Sequence, residues 1–304
     1  MLKHSSRDLK GLAILAIVDA TLENIRTAQN PDGGWPYSKG GSWTEPTVYA
    51  LLAHQAGRTA APRGSGAIAW LDAAQRSDGG WAPRRSVDQS TWVTALAALL
   101  PPETIGAARH ARAVKWLLGE GGMESSPIYR LGAFLRNGKL PDGADLDGWP
   151  WFPGTAAWVT PTCMGVLALK KCYSQRPSAA LRERIDQAQA FLLSRRCADG
   201  GWNHGSARAL GYNTDSYPES TGQVLLALAG TDAAKLGNSL SVAQRFLREQ
   251  RSAAGAAWLR LGLLAHQQVP AAAPLFTMPC RTVPDAALTF LAAVAEQGYN
   301  VFLE

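Results

Sequence analysis

Two glutamates stand where the sequence could most readily do chemistry. Glu45 lies in the phrase Trp43-Thr-Glu-Pro-Thr47 and Glu219 in Tyr217-Pro-Glu-Ser-Thr221, each two residues before a threonine that opens an apolar run. A carboxyl buried among aromatics keeps its proton, and the same rise in pKa makes it a weaker acid. The same carboxyl in the first turn of a helix can simply cap it or complement the helix dipole. Trp43, Trp92, Trp151, Trp158, Tyr212 and Tyr217 gather near the same openings, where they either line an aromatic cavity or pad its rim. Arg130 and Arg260 share matching Arg-Leu-Gly triplets; facing inward they would hold a diphosphate, facing outward they are solvated. No metal or cofactor is expected. Cys197, Asp199 and His204 form the only close grouping of ligand types, and Asp199 already has a place in a turn. Asp142, Asp145 and Asp147 lie among Gly and Pro, where loop solvation and helix ends account for them. No Gly-rich phosphate loop or nucleophile elbow is present.

The elements that carry these residues repeat. Gly34-Trp35, Gly80-Trp81, Gly148-Trp149 and Gly201-Trp202 recur, three of them in the phrase Asp-Gly-Gly-Trp after Asp32, Asp78 and Asp199. Gly-Gly after Asp stops a helix, because glycine takes positive φ cheaply. A polar loop follows, then an apolar run from Thr47, Thr91, Thr162 or Thr221. These second stretches are apolar nearly all round and should be buried, whereas the first ones carry a charged face. Each unit therefore reads outer helix, turn, loop, inner helix. Inner helices are expected to begin near residues 46, 90, 127, 161, 220 and 256, with outer ones near 8–29, 66–75, 108–119, 182–196, 240–251 and 284–296. That predicts an all-α chain, an α/α toroid of about six inner and six outer helices, as one domain over 1–304 with an irregular insertion at 138–160. No strand signal competes.

Composition agrees with a folded, thiol-reduced protein. The chain has 304 residues, 46% of them apolar, and four cysteines (Cys163, Cys172, Cys197, Cys280) too sparse for a disulfide scaffold, which fits the cytoplasm. The net charge of +6 rests on cations scattered along the chain. Scattering disfavours a nucleic-acid reader and leaves weak peripheral attraction to anionic membrane surfaces. The run Gly11–Val18 is too short to span a bilayer and reads as the buried face of a first helix. Eleven tryptophans outnumber the seven tyrosines and seven phenylalanines, and the repeat uses many of them.

The phrase Gln-x-x-x-Gly-x-Trp, complete in Gln29–Trp35 and Gln75–Trp81 and with an aromatic upstream as in Trp70 and Phe191, resembles the QW repeat of squalene–hopene and oxidosqualene cyclases. More broadly the chain is similar to the prenyltransferase/squalene-oxidase repeat proteins. It has residues for one barrel where the triterpene cyclases join two. The resemblance implies an acid-initiated cyclase acting on an apolar polyprenyl-type substrate, with the proton donor two residues before the inner-helix threonine. That column holds Glu45, Gln89, Thr160 and Glu219, and the family's Asp-x-Asp-Asp-Thr motif is absent. Protonating an alkene needs a dry acid, donors that hold the carboxylate left behind and π faces for the cation. Missing acidic neighbours make an epoxide or an activated allyl group the easier electrophile. Two alternatives stand beside it: a non-catalytic α/α-barrel binding or scaffold protein that lost the acid motif, and a prenyltransferase-like subunit, which the missing zinc ligands disfavour.

Overall fold

In the computed structural model the described residues are 19–59, 64–138, 146–209, 212–249, 251–268, 270 and 278–304. The apolar run Gly11–Val18, with Asp142 and Asp145, lies outside them. The helices are α1 (19–27), α2 (Thr44–Ala56), α3 (Gly64–Ala74), α4 (Val93–Ala97), α5 (Pro102–Ile105), α6 (Ala107–Gly119) and α7 (Pro127–Asn137). They continue with α8 (Val159–Gln175), α9 (Ala179–Ser194), α10 (Pro218–Ala227), α11 (Ala233–Leu236), α12 (Ser239–Glu249), α13 (Ala253–Ala265) and α14 (Val283–Ala295). A two-residue hairpin, β1 (Arg208–Ala209) with β2 (Tyr212–Asn213), decorates the loop before α10. No helix among the described residues is long and apolar enough to cross a membrane.

Six helices close a ring in the order α2, α4, α8, α10, α13, α14 and back to α2, each packed on the next. Residues of these helices are buried on nearly every side, as all-round apolar sequence demands. Outside the ring, α3 packs on α2, α6 on α4, α9 on α8, and α12 against both α10 and α13. These outer helices bury one stripe only, such as His110, Ala113 and Leu117 on α6. The architecture is the α/α toroid that the repeat predicts.

Two assignments are corrected. The helix expected to open an inner position near residue 127 is α7, which lies outside the ring and packs on the 3-10 turn Met123–Ser125. Its arginines and its apolar stripe do not give the all-round apolar surface a ring position requires. The stretch 284–296, expected as an outer helix, is α14 and completes the ring, with Ala287 to Ala293 buried. Its start is fixed by a capping box, in which Asp285 N–H donates to Thr282 Oγ1 (3.1 Å) and Thr282 N–H to Asp285 Oδ2 (3.0 Å). Among the described residues the outer layer is therefore α1, α3, α6, α9 and α12.

The turns explain the repeat. In all four copies the tryptophan's backbone N–H donates to a threonine hydroxyl of the following inner helix: Trp35 to Thr47 (2.9 Å), Trp81 to Thr94 (2.8 Å), Trp149 to Thr162 (2.9 Å) and Trp202 to Thr221 (3.0 Å). Each indole N–H donates to a carbonyl of the preceding outer helix, that of Ile25, Leu71, Leu117 or Leu192. One buried side chain thus pins an outer helix to its inner partner. The second glycine of the phrase leaves no room for a side chain: a Cβ on Gly80 would stand 2.5 Å from that of Ser90. The first, Gly79, has φ +97° and lies under α6, where a Cβ would meet the Arg112 carbonyl at 2.8 Å.

After α14 the chain turns back under the ring at the end away from the helix N-termini. Val301 and Phe302 are buried there. Lys171 of α8, on the far side from α14, donates to the Val301 carbonyl at 2.7 Å. Phe302 lies 5.4 Å from Trp258 of α13, which meets Tyr49 of α2 at 6.3 Å.

Candidate active site at the barrel mouth

The N-termini of the inner helices form one end of the barrel, because an outer helix returns the chain between most of them. Hydrogen bonds run round this mouth. Thr44 N–H of α2 donates to Pro83 O (2.8 Å) in the loop before α4, and Trp92 N–H at the start of α4 to Trp151 O (3.1 Å) in the loop before α8. Val159 N–H of α8 donates to His204 O (2.8 Å) before α10, and Val283 N–H of α14 to Tyr37 O (2.7 Å) before α2. Each bond satisfies a helix-start amide that has no partner within its own helix.

Glu45 sits in this rim, half-buried in the first turn of α2. Tyr37, on the loop just before, donates its hydroxyl to Glu45 Oε2. Tyr49 is buried one turn further along α2. Burial pushes the Glu45 carboxyl above its usual range, and the Tyr37 hydrogen bond pulls it part of the way back. Burial also raises both tyrosines well above their usual range, and the charge of Glu45 adds to it. A carboxyl that burial biases toward its protonated form, with one O–H donor for its conjugate base, is the chemistry this corner offers. Sequence reasoning found Glu45 but missed Tyr37 and Tyr49. The signal available was Trp35-Pro-Tyr37, a tyrosine just after the turn tryptophan.

Glu219 occupies the matching turn of α10, three places from α2 round the six-membered ring and so across the mouth. It accepts from Ser252 Oγ at 3.3 Å, the residue that caps α13. The two glutamates stand on opposite sides of the ring and do not form a pair. The third member of the column, Thr160, donates to Gln223 Oε1 of α10 at 2.8 Å. The fourth is corrected: the threonine that receives the tryptophan amide in the second copy is Thr94, not Thr91, so Trp92 stands in the column where Gln89 was expected. A tight turn, with Thr94 N–H on Thr91 O at 2.9 Å, absorbs the offset.

The rim aromatics meet in neighbouring pairs. Trp43 packs edge-on to Tyr37 at 5.7 Å under the Arg84 guanidinium, 4.8 Å from its ring. Trp92 and Trp151 meet edge-to-face at 4.9 Å, and Tyr217 tilts against His204 at 5.1 Å. Trp158 and Tyr217 are exposed, and Tyr212 in the hairpin is 77% exposed. The two arginines are not brought together. Arg130 lies on α7, outside the ring, and Arg260, buried on α13, pairs with Glu296 beside a pocket of about 450 Å³ that Gln267 and Gln268 also line. A different pair of cations, missed in the sequence, lines the α13–α14 sector of the mouth. Arg251 and Arg281 flank a pocket of about 210 Å³ with Ser252 and Asp285. Asp147 serves the scaffold, accepting from Gly122 N–H (3.1 Å) and pairing with Arg184 (3.5 Å).

Solved structures share this fold. A variant of the type II terpene cyclase MstE from Scytonema, in complex with geranylgeranyl dihydroxybenzoate, is similar over 95% of this chain and 80% of its own, with TM-score 0.54 and 16% identity. The GH76 α-mannanase of Bacteroides thetaiotaomicron is similar over 93% and 96%, with TM-score 0.57 and 10% identity. The ent-copalyl diphosphate synthase of Streptomyces platensis is similar over 83% of this chain and 50% of its own, at TM-score 0.50 and 16% identity. No protein-family model and no curated protein sequence matches the chain. At these identities the likeness is one of architecture: the chain has the α/α toroid of terpene cyclases and of a mannanase.

Proposed function

We propose that the protein is a terpene cyclase-like enzyme in which Glu45 protonates an apolar isoprenoid-type substrate at the barrel mouth. The observation that carries this reading is the Glu45 carboxyl, raised by burial and holding the Tyr37 hydroxyl at the start of an inner helix. In the first step the Glu45 O–H bond breaks, and the π electrons of a terminal alkene, or a lone pair of an epoxide oxygen, take the proton. The electron-poor carbon formed, or the opening C–O bond, draws in the next alkene. Loss of a proton from the last cation to water or a rim base ends the sequence, and solvent reprotonates Glu45. The Tyr37 O–H supports the carboxylate in the interval, a task the absent acidic neighbours would otherwise share. Trp43 and the other rim aromatics offer π faces to the cation. Glu219 is the second acid candidate. The MstE ligand supplies a probe: a geranylgeranyl chain on an aromatic acid.

The test is conversion of geranylgeranyl dihydroxybenzoate and of geranylgeranyl diphosphate, read by mass spectrometry of extracted products. Wild type should cyclise one of them, and Glu45→Gln should abolish turnover. Activity should fall as pH rises through the raised Glu45 pKa, since the protonated form does the work. Full turnover in both Glu45→Gln and Glu219→Gln would end the acid assignment. A non-catalytic binding barrel is favoured by one observation, the packing of Trp258 against both Tyr49 and Phe302. Binding of either probe without conversion would support that reading instead.

A further inference from the structure

Aromatic side chains cross the lumen of the ring well above its lower end. Trp258 of α13 and Tyr49 of α2 lie 6.3 Å apart, although α14 stands between their helices in the ring. Both are buried and both sit mid-helix, so they meet inside the ring and not around its outside. Phe302 approaches Trp258 from below at 5.4 Å, and it too is buried. Tyr49 in turn is close enough to Glu45 and Tyr37 for the charge of each to bear on it. A line of side chains therefore runs from the acid at the mouth through Tyr49 and Trp258 to Phe302.

Helix geometry sets the scale. The helices α2, α13 and α14 have 13 residues each, a length of about 20 Å. Tyr49 and Trp258 each stand five residues past the first residue of their helix, about 8 Å below the mouth. The space above them is shallow, and below that level Phe302 takes the place an inserted chain would need. Phe302 belongs to no ring helix. It rides on the segment after α14, which crosses beneath the ring to α8, the helix opposite α14, where Lys171 donates to Val301 O (2.7 Å). On the near side a tight turn holds it, with Phe302 N–H on Asn300 Oδ1 (3.2 Å) and Leu303 N–H on Asn300 O (2.9 Å). An aromatic side chain carried on a separate segment can be shortened without touching an inner helix.

We propose that Phe302 is the stopper of the lumen: it sets how deep an apolar chain enters from the mouth, and with that the length of prenyl chain the barrel prefers. This rests on the reading that an isoprenoid-type substrate enters at the mouth. It does not require that Glu45 protonate that substrate.

The test is equilibrium dialysis of geranyl and geranylgeranyl diphosphate against the full chain, with the ratio of their affinities as the readout. Phe302→Ala should shift that ratio toward the longer chain by about tenfold, because more of its apolar length is then buried. Phe302→Leu keeps more of the core should the alanine variant fail to fold, and should shift the ratio by about threefold. Phe191→Leu makes the same change at an equally buried phenylalanine of the outer helix α9 and should leave the ratio unchanged. A ratio that stays at the wild-type value in both Phe302 variants would overturn the stopper and leave the substrate reading standing. An equal shift in Phe191→Leu would overturn it too, since general loosening would then explain the gain. If none of these proteins binds either diphosphate, the substrate reading falls and the stopper with it.

Discussion

Lys171 offers the sharpest test of how the floor of the ring is built. Its ammonium is buried between α8 and the segment after α14, and Val301 O is its partner at 2.7 Å. Burial lowers its pKa from 10.5 to about 8, with Cys172 and Glu304 opposing that drop. Below about pH 8 the folded and unfolded chains both carry the proton, and the folded chain bears the whole cost of burying it. Between about 8 and 10.5 the folded chain has released the proton while the unfolded chain still binds it, so this contribution makes stability rise with pH. At about 1.4 kcal/mol per pH unit, the gap is worth about 3 kcal/mol. Lys171→Met removes the titration and keeps the length of the side chain. Loss of the Val301 hydrogen bond shifts the variant's stability by an amount that does not depend on pH. Urea unfolding followed by tryptophan fluorescence, on both proteins from about pH 7 to 10.5, reads the effect, because groups remote from Lys171 titrate alike in each and cancel. The neighbouring Cys172 thiol, which burial raises to about 11 against the pull of Lys171, titrates above that range in the folded chain. The stability of Lys171→Met relative to wild type should fall by about 3 kcal/mol across that range. A difference that stays flat with pH would refute a buried, charged lysine under the ring.

Two other substitutions probe the scaffold. Thr162 accepts the Trp149 amide and donates to Trp158 O at 2.6 Å, so Thr162→Val should cost about 2 to 3 kcal/mol by stranding a buried N–H, whereas Thr162→Ser should stay within about 1 kcal/mol in the same denaturation assay. In Gly222→Ala the new methyl would stand 2.4 Å from the Trp258 carbonyl carbon of α13. It should cost about 3 kcal/mol or more through overpacking, while Gly119→Ala, with open space around it, should change the melt by less than about 1 kcal/mol.

The repeat was legible because its chemistry is local. Asp32, Gly33, Gly34 and Trp35 specify a turn by backbone geometry and one indole, and the same phrase returns at Asp78 and Asp199. What failed was order around the ring. Arg130-Leu-Gly on α7 looks like Arg260-Leu-Gly on α13, yet three residues do not say whether the rest of a helix can be buried. Phe290 resembles an outer-helix aromatic, although the alanines around it are apolar on every side and mark α14 as an inner helix. Thr91 and Thr94 compete for one role within a single phrase, and only the bond from Trp81 decides between them. At the mouth, Glu45 and Glu219 were visible as residues. The donor on Glu45 and the cation under the ring were not, because Tyr37 and Lys171 find their partners through tertiary packing.

The seam between α14 and α2 has a consequence for how the molecule comes apart. In an open solenoid each repeat touches only its neighbours, and end repeats can fray one at a time. Here the last inner helix packs on the first, so neither is an end. Loosening either one exposes flanks on both sides of the break, and the loss spreads in two directions. The chain closes its circle with contacts between residues some 240 positions apart, such as Val283 on Tyr37. Those contacts form only after a large loop has been ordered. A slow last step in folding, and a single steep transition in unfolding, are what that closed circle imposes.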